Sequence, residues 1–193
     1  MVKKIGLFFG SFNPVHSGHL IIANYMATQT DLDEVWFVVS PHNPLKKKSS
    51  LAHERDRQHL VEISIQDNEL LRCSDIEFYM PQPSYTIDTL IHLKEKFPDY
   101  QFCPIMGGDN LKTIHKWKNF EILLRDYEIY LYNRPGFDID KKGLSDAKIH
   151  FFESPQITIT STYIRNCLKE NKSIQYLVPE PVYKYLKDDN IFR

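Results

Sequence analysis

Two histidines stand three residues apart in GSFNPVHSGHL, Gly10 to Leu20, where the apolar run IGLFF gives way to the helical pattern LIIANYMATQ. A neutral imidazole offers one N–H donor and one acceptor nitrogen, and a protonated ring offers two donors. A helix starting near Gly18 or His19 also brings free backbone N–H groups and the positive end of its dipole to the same place. Across that first turn His16 and His19 project together. Nitrogen donors, free amides and a positive helix end suit a polyphosphate. Gly10, at the end of the preceding run, permits an unusual turn and close approach of a ligand to the backbone. A metal pair fits less well, because two histidines leave a site short of ligands and no Cys or carboxylate stands nearby at metal spacing. Capping or local packing is the ordinary use of a single histidine; two in one glycine-flanked loop suit the phosphate better.

A second cluster lies near the other end, in ITSTYIR, Ile159 to Arg165. Ser161 and Thr162 open a helical pattern, where hydroxyls and free N–H groups meet an anion, and Arg165 falls one turn later on the same face. An arginine there can hold phosphate through two parallel N–H groups. By itself this cluster reads better as an ordinary N-cap with an exposed arginine.

These residues need a scaffold, and the hydropathy pattern supplies one. Short runs rich in Val, Ile and Phe recur as KIGLFF, EVWFVVS, LRCSDIEF, YQFCPIM, YEIYLYN and AKIHFFE. Between them, HLIIANYMATQ, HERDRQHLVEISIQD, TIDTLIHLKEKF, FEILLRD and STYIRNCLKEN carry apolar residues at helical spacing. The alternation predicts an α/β fold, a doubly wound Rossmann-like parallel sheet with right-handed crossovers, as a single domain over residues 1–193. In such sheets ligands bind at the carboxyl ends of strands, near the point where strand order reverses. One connection, SPHNPLKKKSSLAHE, is too long for an ordinary loop, which marks it as mobile or functional.

Composition narrows the partners. With 193 residues, 42% of them apolar, the chain can bury a substantial core. Its 24 basic and 25 acidic residues nearly cancel, so there is no general attraction to nucleic acid or to an anionic membrane. Any phosphate binding must be local. No segment approaches the roughly 18 apolar residues of a membrane span, and the short apolar start reads as a strand rather than a leader. Cys73, Cys103 and Cys167 form no CxxC pair and are expected as buried free thiols in a reducing cytoplasm. A homo-oligomer is compatible with all of this.

GSFNPVHSGHL resembles the GxFxPxHxGH signature of the nucleotidyltransferase superfamily, and ITSTYIR resembles its ISSTxIR signature, with Thr160 as a conservative change. Three further stretches, SPHNP (Ser40 to Pro44), SYTIDTL (Ser84 to Leu90) and MGGDNLKTIHKWKNFEILL (Met106 to Leu124), are similar to bacterial nicotinate-nucleotide adenylyltransferases. VPEPVYKYLKDDNIF resembles that family's closing helix, a short C-terminal helical segment. The resemblance implies adenylyl transfer from ATP to nicotinate mononucleotide, with Mg2+ arriving on the triphosphate. By its pattern His16, His19 and Arg165 are the catalytic residues, and Gly10, Ser11, Phe12, Gly18, Gly107, Asp109, Ser161 and Thr162 bind ATP.

For the second substrate the resemblance assigns Tyr85 and Thr86, whose backbone holds the carboxylate, and Trp117, whose ring can face the pyridine. Trp117 is otherwise plain core, Tyr85 and Thr86 a helix start, and Gly107 to Asp109 a turn. The family usually has a basic residue after Pro-His, whereas this chain has Asn43; the phosphate contact either moves to Lys46 or Lys47 or is absent. A sibling enzyme acting on nicotinamide mononucleotide or phosphopantetheine, and a nucleotide sensor without activity, are the competing readings.

Overall fold

Consecutive β-branched and aromatic residues can face two different cores at once, which is how a strand buried on both sides reads in sequence. The computed structural model describes residues 2–41, 51–133 and 147–192. Its strands are β1 (Lys3–Gly10), β2 (Glu34–Val39), β3 (Leu71–Ser74), β4 (Tyr100–Gly107), β5 (Ile129–Tyr132) and β6 (Ile149–Phe152). They pair entirely in parallel in the order β3-β2-β1-β4-β5-β6. The chain winds outward from β1 to β3, returns to the centre at β4 and winds away on the other side. Strand order therefore reverses between β1 and β4.

Alternate residues divide between two cores. Phe8, Val35, Phe37, Cys103, Ile105 and Tyr130 face the core shared with α1 (Ser17–Gln29), α2 (Glu54–Ile65), α6 (Ser161–Lys169) and α7 (Glu180–Asp188). Ile5, Leu7, Val38, Phe102, Met106, Ile129 and Leu131 face the other, with α3 (Thr86–Lys96) and α5 (Phe120–Asp126). One turn of helix, α4 (Gly108–Leu111), follows β4 directly. Helices on both faces make the sheet doubly wound, as expected. The closing segment is α7, which packs Val182 and Leu186 into the core that also holds Leu60 and Val61 of α2.

The run LRCSDIEF does not stay extended. β3 stops at Ser74 and a 3₁₀ turn follows at Ile76–Tyr79. The cause is local: the N–H of Ile76 donates to the Ser74 hydroxyl at 3.4 Å and that of Phe78 to the Asp75 carbonyl at 2.9 Å, the turn chemistry of Ser and Asp. The three cysteines are free, with Cys103 and Cys167 buried; Cys73 is only partly so, against expectation, because β3 is the edge strand. Among the described residues no helix is long and apolar enough to cross a membrane.

Candidate active site

At the end of β1 the chain turns through Phe12, which has a left-handed backbone (φ 45°) yet is only 2% exposed. That conformation costs a non-glycine residue of order 1–2 kcal/mol. Burial of the ring offsets it: Phe12 packs against Phe37 at 5.2 Å and under His19 at 5.1 Å between centroids. Gly10 is required by this arrangement, since a Cβ there would meet the Phe12 ring at 2.7 Å. Gly18 plays the same part for His16, whose Nδ1 would lie 3.1 Å from an added Cβ. Both glycines thus make room for rings that hold the loop.

His16 is the N-cap of α1 and its ring stacks on His19, with 3.6 Å between centroids. Both rings line a cleft at the carboxyl ends of β1 and β4. The N–H of His16 donates to Nδ1 of His19 at 3.2 Å. Nδ1 is therefore the unprotonated nitrogen, and Nε2 carries the proton of the neutral ring. His19 is held as a hydrogen-bond donor.

The second motif is fastened to the first. Thr160 is the N-cap of α6 and accepts the N–H of Tyr163 at 3.1 Å, a task its hydroxyl performs as a serine would. Ser161 donates its hydroxyl to the Pro14 carbonyl at 2.9 Å. Arg165 donates to the Asn13 carbonyl at 2.8 Å and to the Thr162 hydroxyl at 3.3 Å. Burial pushes the Arg165 guanidinium below its ordinary pKa, but an arginine side chain stays charged within a protein. Because its partners are a carbonyl and a hydroxyl, its charge remains available to an anion.

The cleft these elements enclose measures about 930 Å³, large enough for a nucleotide pair. Of the residues singled out in the sequence, Gly10, Ser11, Phe12, His16, His19, Ser161, Thr162 and Arg165 line it. Tyr85, Thr86, Gly107, Asp109 and Trp117 line the same cleft, with Gly107 on the strand beside Gly10. Gly18 lies behind His16, outside the lining. Asn43, Lys46 and Lys47 fall outside the described residues. The N-termini of α3 and α4 open at the cleft beside those of α1 and α6, and Trp117 also packs on the second core. Lys118 lies 5.1 Å from the Tyr85 ring and donates to Asp88 at 2.7 Å.

Two charged residues beneath the cleft escaped the sequence reading. Arg57 is fully buried and donates to four carbonyls, those of Ser11 (2.5 Å), Ser40 (2.8 Å), Pro41 (3.1 Å) and Ala52 (3.0 Å). Glu77, 2% exposed, accepts the hydroxyls of Ser84 at 2.7 Å and Thr89 at 2.9 Å, with the Ser40 side chain as a third and weaker partner. Burial pushes its carboxyl up, against the pull of those donors. A signal for Arg57 existed: it shares the spacing of Leu60, Val61, Ser64 and Ile65, the buried face of α2. Glu77 had none, lying in a run read as strand.

Comparison with known proteins agrees with this geometry. The cytidylyltransferase-like family matches residues 7–167. A protein of Flavobacterium psychrophilum named as a probable nicotinate-nucleotide adenylyltransferase is 52% identical over 98% of this chain and 99% of its own. One of the same name from Bacteroides fragilis is 44% identical over 94% and 90%. In fold the chain resembles Plasmodium falciparum nicotinic acid mononucleotide adenylyltransferase, a structure complexed with NaAD, at a TM-score of 0.83 and 21% identity over 98% of this chain and 97% of that one. The chain belongs to the cytidylyltransferase-like family, and within it to the nicotinate-nucleotide adenylyltransferases.

Proposed function

We propose that this protein transfers the adenylyl group of ATP to nicotinate mononucleotide, giving nicotinate adenine dinucleotide and pyrophosphate as a step of NAD biosynthesis in the cytoplasm. The observation that carries the reading is the fastening of ITSTYIR onto GSFNPVHSGHL through Arg165 and Ser161, which gathers donors from both ends of the chain at the switch point of the sheet. The names of close relatives support the choice of substrate. The whole chain acts as one nucleotidyltransferase unit.

A phosphate oxygen of nicotinate mononucleotide attacks the α-phosphorus of ATP; that bond forms as the bond to the bridging oxygen breaks, and the electron pair leaves with pyrophosphate. The attacking phosphate is already ionised near neutral pH, so no general base is needed. The protein's work is in-line placement and stabilisation of charge on the phosphates. His19, donating from Nε2, and Arg165 meet the phosphates between the N-termini of α1 and α6, with His16 stacked on His19 to fix its ring. Gly107 and Asp109 admit the nucleoside of ATP, and the Asp109 carboxylate accepts its hydroxyls. Trp117 faces the pyridine ring while the backbone at Tyr85 and Thr86 holds its carboxylate.

Mg2+ enters with ATP. The triphosphate and water would hold it chiefly, because Mg2+ dehydrates reluctantly and the phosphates bring oxygen ligands of their own. Bound there, it supplies charge neutralisation on the triphosphate. The reading is tested by incubating the protein with ATP, Mg2+ and nicotinate mononucleotide and identifying the product by mass spectrometry. Nicotinate adenine dinucleotide formed in step with pyrophosphate is the expected result; recovery of intact substrates would refute it.

A further inference from the structure

Among the described residues three buried charges go unused by the reaction: Glu34 at the amino ends of the strands, and Arg57 and Glu77, which lie against the cleft. The bonds of the last two form a continuous chain across its floor. Arg57 holds the Ser11 carbonyl, at the phosphate end, together with the carbonyl of Ser40. The Ser40 N–H donates to the Gly10 carbonyl at 2.9 Å, so Ser40 is tied to the end of β1 a second time. Its side chain reaches Glu77, which takes the hydroxyls of Ser84 and Thr89 on either side of the Tyr85–Thr86 turn. The backbone N–H of Thr89 donates to the Tyr85 carbonyl at 3.1 Å, which fastens that turn from its other side.

We propose that Arg57, Ser40 and Glu77 are positioning residues that fix the distance between the phosphate mount and the Ser84–Thr86 turn, and so set both the attack geometry and the grip on the acceptor's pyridine carboxylate. The proposal rests on the reading of the function given above. Burying an ion without a counter-ion is costly, and stability alone would be served as well by apolar side chains. What the ions supply here is reach and direction. One guanidinium satisfies four carbonyls belonging to three segments of backbone, and one carboxylate accepts hydroxyls on both sides of a turn; neither arrangement has an apolar equivalent. A displacement of about 1 Å in such a frame is enough to cost on the order of a hundredfold in rate.

The frame makes an additive prediction false. Glu77→Gln and Ser40→Ala each cut the same link, so the double variant should be no worse than the poorer single one, whereas independent residues would multiply. Steady-state kinetics are measured with ATP and nicotinate mononucleotide varied in turn, and with nicotinamide mononucleotide as competitor substrate. Thermal midpoints confirm folding. We expect Glu77→Gln and Ser40→Ala to raise KM for nicotinate mononucleotide by about fivefold or more, lower the preference for acid over amide, and move KM for ATP by less than about twofold. Arg57→Lys, which keeps a cation but not the fork, should lower kcat with either acceptor.

A second readout does not depend on turnover: hydrogen exchange of the amides at Tyr85 to Thr89 should quicken in Glu77→Gln and Ser40→Ala, with those of β5 unchanged. Folded variants with wild-type KM, unchanged acid preference and unchanged exchange would overturn the proposal, as would strictly multiplicative effects in the double variant. A wild-type protein without activity on nicotinate mononucleotide would instead refute the functional reading, and the exchange measurement would still decide the frame. If Glu77→Gln failed to fold, Ser40→Ala alone would carry the test.

Discussion

The two edges of the sheet handle charge in opposite ways. At the amino ends of the strands, Lys4 donates to Asp31 at 2.6 Å and to Glu128 at 3.1 Å, and Glu34 accepts Lys3 at 2.5 Å and Arg72 at 2.8 Å. Cation meets carboxylate, and the fields cancel. At the carboxyl ends, Arg57 and Arg165 donate to carbonyls and a hydroxyl, and the N-termini of α1 and α6 open beside them. There the two guanidiniums are oriented by neutral partners rather than paired directly with a carboxylate. The first edge is built to close the fold, and the second holds a potential ready for phosphate at some cost in desolvation.

Removing charge from each edge should therefore have different consequences. Arg165→Ala is expected to show the largest effect, a fall in kcat/KM of about a thousandfold or more, since it deletes a charged donor and the tie between the two motifs. A loss under tenfold in a folded variant would break the contrast. His19→Ala should follow, with turnover lowered roughly a hundredfold or more, the scale of one preorganised donor. At the other edge Lys4→Met should leave kcat and both KM values at wild-type levels while lowering stability in urea by about 1 kcal/mol or less.

That same substitution has a pH signature. Asp31 is held below the usual carboxylate range, first by the Lys4 hydrogen bond and then by the Tyr130 hydroxyl. A depressed carboxyl contributes stability above its unfolded pKa, about 4, and loses it as pH falls through the folded value. Lys4→Met should accordingly flatten the acid side of the stability profile, and an unchanged acid slope would contradict the pairing. The smallest effect concerns the thiols. Burial pushes Cys73 and Cys103 up to about 12, so both should resist iodoacetamide at pH 8 in the native protein and react once it is unfolded. Rapid native alkylation would show the sheet to be looser than described.

Much of this division was readable in the chain. The strands announced themselves because the central ones, β1, β2, β4 and β5, are apolar on both faces, and the paired motifs because His16, His19, Ser161 and Arg165 stand at element boundaries where free amides are expected. The overrun at LRCSDIEF arose because apolar content continues through Ile76 and Phe78 while Ser74 and Asp75 bend the backbone. Gly10 was read as an opening for a ligand; its fuller reason, room for the Phe12 ring, depends on a left-handed turn that no periodicity records. Arg57 and Glu77 were hidden for a related cause. Whether an Arg in HERDRQHL faces solvent or four carbonyls is decided by loops distant in sequence, and only its place on the apolar face of α2 hinted at burial.

The most direct test of the phosphate mount and its acceptor pocket is pyrophosphate release from ATP and Mg2+, with nicotinate mononucleotide, nicotinamide mononucleotide or phosphopantetheine supplied in parallel. The account predicts release with the nicotinate substrate well above the other two, abolished by Arg165→Ala and retained by Lys4→Met. Release confined to another acceptor would contradict the pocket at Tyr85, Thr86 and Trp117, and no release with any of them would contradict the account as a whole.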